Sequence, residues 1–215
     1  MQWISRRHGF FESRYIHVNP VIVGPSEERL SIYWERDFER LEDPFPLERR
    51  APQPGDVVFP AGAYEFDYWG LELTTDPSQA VTFALNGEVG EFFDGDQRRF
   101  TASLMARRAP HWNLGLELVD QFVEREDPEQ GTVDFDSRVA RIRLGYDWSN
   151  AFGLDLFTQW NNDEQLLLSQ LRAHWIFGDE SDLYFVVTDA RDDDRGDFAP
   201  RRSELTLKLS YARQL

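Results

Sequence analysis

Cysteine is absent from the 215-residue chain, which excludes a disulfide framework and any cysteine-ligated zinc or cluster. Long apolar runs are missing as well: none approaches the roughly 18 residues of a membrane helix. The opening residues, Met1-Gln2-Trp3-Ile4-Ser5-Arg6-Arg7, lack the apolar core of a signal peptide. Basic residues are few, 23 against 39 acidic ones, for a net charge of -16. That balance opposes nucleic acid as a partner, because affinity for it comes largely from Lys and Arg neutralising phosphate. No helical period runs for any useful length. A mean hydropathy of -0.56 resembles a soluble protein. It is equally compatible with a transmembrane barrel, in which only every second residue need be apolar.

What the chain does have is alternation. Within residues 80–124, Val81, Phe83, Leu85 and Val89 oppose Thr82, Asn86 and Glu88. Phe100, Ala102, Leu104 and Ala106 then oppose Thr101, Ser103 and Arg107, and Trp112, Leu114, Leu116 and Leu118 oppose Asn113, Gly115 and Glu117. Successive Cβ atoms of a strand point to opposite faces, so a period of two is a β signature. Asp94-Gly95-Asp96 and Ala109-Pro110 supply turns between the runs, the pattern of an antiparallel meander. The alternation returns over residues 139–146, 152–157, 167–177, 183–187 and 204–211. The expected fold is all-β: an up-and-down antiparallel meander of about 10–12 strands forming a transmembrane β-barrel.

No composition shift divides the chain, so one β-barrel domain is expected over residues 1–215. Residues 1–27 read as weakly defined strands, 42–62 as a loop and 63–215 as the regular meander. The loop carries five prolines, and proline removes the donor that a central strand needs. The apolar parity shifts near Tyr68, which predicts a bulge at Gly70. Residues 124–133 and 189–202 read as long acidic loops, against short turns at 76–79, 109–111, 149–151 and 178–181. Longer loops on one rim and short turns on the other is the outer-membrane barrel pattern. Trp112, Tyr146, Trp148, Phe152, Trp175 and Phe177 cluster beside the short turns, where an interfacial girdle would lie. On this reading Leu85, Leu104, Leu116, Leu144, Leu171 and Leu207 face lipid, and the acidic loops face outside.

Candidate chemistry is sparse. His8, His17, His111 and His174 have no metal-ligand spacing, and no metal or cofactor is expected. Asp192-Asp193-Asp194-Arg195-Gly196-Asp197 departs from a calcium loop because its glycine falls fifth rather than sixth. Glu88 and Glu91 have the residue type of a glycosidase pair, but three residues apart on a regular strand they point to opposite faces. Ser169 and His174 also have opposite parity, which separates a serine from its base. No catalytic set is expected. More informative is the polar parity shared by Glu117, Arg141, Arg143, Asp155, Arg172, His174, Glu204 and Lys208. In a barrel these residues line the lumen. Opposite charges there can pair across the ladder and hold it together, or select solutes by charge.

Several stretches stand in a suggestive order. They are LSIYWERDFERL (30–41), FPAGAYEFDY (59–68), GEFFDGD (90–96), LGYDW (144–148), QWNN (159–162), LRAHWIF (171–177), SDLYFVV (181–187) and LTLKLSY (205–211). Together they resemble the C-terminal half of a bacterial outer-membrane β-barrel family of unknown function. In that family the barrel follows a secreted module similar to family-9 carbohydrate-binding modules. The resemblance spans residues 28–211. It implies the outer membrane of a Gram-negative cell, with membrane lipid and the barrel-assembly machinery as partners, and carbohydrate contacted through the N-terminal module.

Members of that family are longer and begin with a signal peptide and the module. The expectation is therefore that this chain corresponds to the barrel part, with its barrel incomplete. The final Arg213-Gln214-Leu215 also differs from the aromatic end common in such barrels. The function this predicts is a non-enzymatic surface anchor or membrane component associated with carbohydrate binding or uptake. Three other readings fit the same alternation: a passive or sugar-selective channel, part of a secreted glycoside-hydrolase-like protein, and a soluble β-barrel holding a small apolar ligand.

Overall fold

A computed structural model describes residues 2–5, 11–47, 55–108, 111–178, 181–193 and 197–211. Among these residues there are strands and turns and no helix. The strands are β1 (Gln2–Ser5), β2 (Phe11–Val18), β3 (Val21–Val23), β4 (Arg29–Leu41), β5 (Phe45–Pro46), β6 (Val58–Phe59), β7 (Gly62–Thr74) and β8 (Val81–Phe92). They continue with β9 (Gly95–Arg108), β10 (Trp112–Asp127), β11 (Gly131–Ser149), β12 (Phe152–Asn161), β13 (Leu166–Gly178), β14 (Ser181–Asp192) and β15 (Ala199–Ser210). The main sheet runs β1-β2-β4-β7-β8-β9-β10-β11-β12-β13-β14-β15, a meander in chain order with β1 and β15 at its ends. β3 pairs with β4 beside this path, and β5 and β6 form a separate two-stranded sheet. The all-β antiparallel meander read from the sequence is the fold of the chain.

Two compact units divide the chain. Met1–Pro77, Ala84–Ala102 and Val119–Arg138 make the first, and Ser78–Phe83, Ser103–Leu118 and Val139–Leu215 make the second. The first has a dry core of Val57, Phe59, Phe66, Phe93, Val123, Val133 and Phe135, with Leu41, Leu47, Tyr64 and Phe92 packed against it. Arg125, only 5% exposed, lies at this core because a fork of acceptors satisfies it. Its Nε and Nη2 donate to the two carboxylate oxygens of Asp94 at 2.8 and 3.0 Å, and its Nη1 donates to Asp127 at 3.0 Å. The second unit is built the other way. Many of its leucines and aromatics are exposed, among them Leu207 at 65%, Leu144 at 44% and Trp148 at 73%.

β11 carries both arrangements on one strand. Toward its start, odd-numbered Val133 and Phe135 are buried while even-numbered Asp134 and Arg138 are exposed. Further along, even-numbered Ile142, Leu144, Tyr146 and Trp148 are the exposed apolar set, and the odd positions hold Arg141, Arg143, Gly145 and Asp147. Side-chain alternation along the strand is regular. What changes is which face is apolar. β10 repeats this, with Leu116 and Leu118 exposed near its start, and Val123 buried between exposed Glu124 and half-buried Phe122 near its end.

This inversion corrects two expectations. No bulge occurs at Gly70: the register of β7 against β4 is continuous from Arg29↔Thr74 to Leu41↔Gly62. The parity shift near Tyr68 is an exchange of faces, with Phe66 buried on one side and Trp69 and Leu71 exposed on the other. Residues 124–133 are not a long loop either, because β10 runs to Asp127 and β11 starts at Gly131. Asp127 closes the turn between them by accepting the N–H groups of Glu129 and Gln130 at 2.9 and 3.0 Å. Those two bonds, with Arg125 adding to them, hold its carboxyl below the usual carboxylate range. The 189–202 stretch shrinks likewise, since β14 extends to Asp192 and β15 begins at Ala199. The asymmetry between rims is thus mostly one of strand extension, not loop length. The 42–62 stretch is also more ordered than expected, with β5 and β6 paired through Phe45↔Phe59 and Pro46↔Val58.

Candidate functional site

The polar face of the second unit is set by register. Asp155 pairs with Gly145 on one side and Arg172 on the other, and His174 with Gly153 and Tyr184. Lys208 pairs with Tyr184 in turn. Parity then puts Glu117, Arg141, Arg143, Asp155, Arg172, His174 and Lys208 on one face, opposite Leu116, Leu144, Leu171 and Leu207.

Three clusters form on that face. Arg141 donates to Glu117, and its Nε donates to Gln159 at 2.9 Å. Arg172 donates twice to Asp155 Oδ2, at 3.2 and 2.8 Å. His174 stacks on Tyr184, ring centroids 4.1 Å apart and ring planes nearly parallel, with Asp182 Oδ2 3.5 Å from its Nε2. Two cations rest on rings instead. Arg143 lies 5.4 Å over Phe157, and Lys208 lies 5.9 Å from the Tyr184 ring. Each predicted basic residue thus has an acidic or aromatic neighbour on an adjoining strand, which ties β10 through β15 together by cross-strand pairs. A polar cavity of about 160 Å³ opens among Asp147, Ser149, Asp155, Arg172 and His174. Gln159, Phe157 and Tyr184 are members that a search for charge did not flag, and Asp182 is a charged member that the sequence reading passed over; all four share the polar parity.

The other candidates do not assemble. Glu88 accepts from the Tyr33 hydroxyl at 2.6 Å, whereas Glu91 accepts from the backbone N–H of Asp67 at 3.3 Å. The two carboxylates therefore have different partners on neighbouring strands and form no pair. Ser169 meets Thr158 at 3.3 Å, on the face away from His174. His17 pairs with Glu35 at 2.6 Å, and His111 approaches the Asp147 carbonyl at 3.2 Å. His8, Arg213-Gln214-Leu215 and the 194–196 part of the acidic hexapeptide lie outside the described residues. Among those residues no group of histidines and carboxylates could hold a metal ion.

At the short turns the apolar face ends in aromatics. Tyr146 and Trp148 meet edge-on at 6.0 Å, and Trp175 and Phe177 lie 5.6 Å apart. Ser149 fixes the turn between β11 and β12, its hydroxyl accepting from the N–H groups of Ala151 and Phe152 at 3.2 and 3.1 Å. Between the strands Trp112, Leu144, Tyr146, Leu154 and Leu171 border an apolar groove of about 340 Å³.

The first unit adds an acidic row on β4. Asp37 sits between Glu35 and Glu39 on one face, and burial, then the charges of Glu35 and Glu39, push its carboxyl up to about 6. An acid whose pKa rises on folding binds more protons folded than unfolded, between its ordinary value near 4 and about 6. Stability contributed at this site therefore falls as pH rises through that window. Asp37→Asn is expected to remove the loss: the variant should exceed wild type by about 1 kcal/mol at pH 7, after discounting for water at a half-buried group, and match it near pH 4. Paired melting curves across pH 4–7 check this, and a constant offset between them would refute it.

No protein-family model, no curated protein and no solved structure matches this chain.

Proposed function

We propose that the chain is a membrane-embedded β-barrel that serves as a non-enzymatic anchor or component of an outer membrane. One observation carries this reading. The strands of the second unit expose many of their leucines and aromatics on one face while charged residues pair on the opposite face. In water that arrangement is inside out, because apolar surface left in solvent forgoes about 25 cal/mol per Å². In lipid it is the stable one, since the apolar face meets acyl chains and the charges stay among themselves.

Dimensions support it. The apolar parity of β11, from half-buried Ala140 through exposed Trp148, spans nine residues, against the roughly 9–11 of a transmembrane strand. The aromatics at the short turns suit an interface, and the apolar groove beside Trp112 and Tyr146 suits an acyl chain. Strand parity supports closure. The main path holds twelve strands in antiparallel succession, an even number as in the bacterial barrels. Closure would also satisfy two edges that lipid cannot hydrate. Association with a carbohydrate-binding module at the cell surface rests on the resemblance described above.

Refolding the purified chain with and without detergent tests the proposal. The expected result is folding only in detergent or lipid, with faster migration on a gel before boiling than after. A compact monomer in plain buffer would make the leucine face a core and overturn the reading.

A further inference from the structure

We propose that the β5–β6 hairpin is a plug that seals one end of the barrel lumen, so that the resting protein does not conduct. This rests on the barrel reading above. Along the hairpin, Val57 and Phe59 have no exposure while Val58 between them is 37% exposed. One edge of the hairpin is therefore driven into an apolar site and the other faces water. Phe59 meets Phe93 at 4.8 Å and Phe92 edge-on at 5.5 Å, and the Arg125 guanidinium lies 5.9 Å over its ring. Leu47 N–H donates to the Val57 carbonyl at 2.8 Å, which ties the two sides of the hairpin.

The wall around it comes from strands of the main sheet: Phe66 of β7, Val123 of β10, and Val133 and Phe135 of β11. On β10 and β11 these positions have the parity that further along carries Glu117, Arg141 and Arg143. In a closed sheet that parity is the lumen wall. The charged stretch could hold water, but the stretch packed around Phe59 is dry. An ion crossing it would shed its hydration among apolar rings and beside the Arg125 guanidinium, which Asp94 and Asp127 already occupy, so little there replaces the lost water. Beside the seal, Arg125 links β10 to Asp94 in the turn after β8, and it also bonds Asp127 on its own strand.

The test is planar-bilayer conductance of the refolded chain, with heat-modified migration as the check on folding. Wild type and Val58→Asp are expected to be silent. Val57→Asp combined with Phe59→Asp puts two carboxylates where no water reaches, which expels the hairpin and should produce open steps. Wild-type conductance, or a folded double variant as silent as wild type, would overturn the plug while leaving the barrel standing. Folding in plain buffer would remove the barrel and the plug together. Should the double variant fail to fold, the absence of cysteine provides a second readout. Phe59→Cys should react with a charged maleimide at least about tenfold more slowly than Val58→Cys, because it reacts only on local opening. Equal rates would refute the plug.

Discussion

Leu144→Arg is expected to cost about 2–4 kcal/mol in lipid, whereas Asp134→Arg on the same strand and the same parity should cost under about 1 kcal/mol. Both side chains are exposed, so burial does not separate them. Surroundings do. Leu144 lies in the apolar set with Ile142 and Tyr146, while Asp134 lies among Thr132, Asp136 and Arg138. A cation placed in the first set must leave water for hydrocarbon; placed in the second it stays in water and gains acidic neighbours. A third substitution completes the argument. Phe135→Arg puts a charge into the dry core next to Asp134 in sequence, and its cost should be several kcal/mol in detergent or lipid alike. Urea unfolding from vesicles gives all three numbers. Equal costs for Leu144→Arg and Asp134→Arg would mean that the leucine face meets water, and the membrane proposal would fail.

The inversion on β11 also explains what could be read from the sequence and what could not. A period of two reports which residues share a face, and it located nearly every strand and grouped the aromatics at the short turns and most charged residues of the polar face by parity. It cannot report which face is dry. When the dry face exchanges along a strand, apolar residues move to the other parity, and over a few positions the alternation seems to lapse. At Tyr68 that lapse reads as a bulge; at 124–133, where Val123 and Val133 are buried among exposed carboxylates, it reads as a loop. The hairpin at 45–59 was hidden for a different reason. Pro46 bars a central strand but is tolerated at the edge of a two-stranded pair. Gln159, Phe157 and Tyr184 escaped notice because only charge was sought on the polar parity, whereas a cation can also be satisfied by an amide or a ring.

Gly70 and Tyr33 should prove strongly coupled. They are paired across β4 and β7, and Gly70 pairs with Glu88 on its other side. The Tyr33 ring lies over the glycine and is 8% exposed. A Cβ added at Gly70 would overlap the Tyr33 ring at Cζ and at the hydroxyl oxygen. Gly70→Ala must therefore displace the whole ring, not merely the end of a flexible chain. Its hydroxyl would lose the bond it donates to Glu88 at 2.6 Å and the one it accepts from Asn86 at 2.9 Å. Overpacking of this kind costs about 1–3 kcal/mol, and each of the two lost bonds about 1 kcal/mol, so a total of about 3–5 kcal/mol is expected. Tyr33→Ala loses the same two bonds and the ring's cover over the strand backbone, and should cost a similar amount. With the ring gone, the new methyl meets no clash. The double variant should then be about 1–3 kcal/mol more stable than the two single losses predict. Strict additivity would show that the ring does not pack on the glycine. Coupling would identify residue 70 as a slot that only glycine fits, closed by an aromatic ring that completes the polar face of β4, β7 and β8.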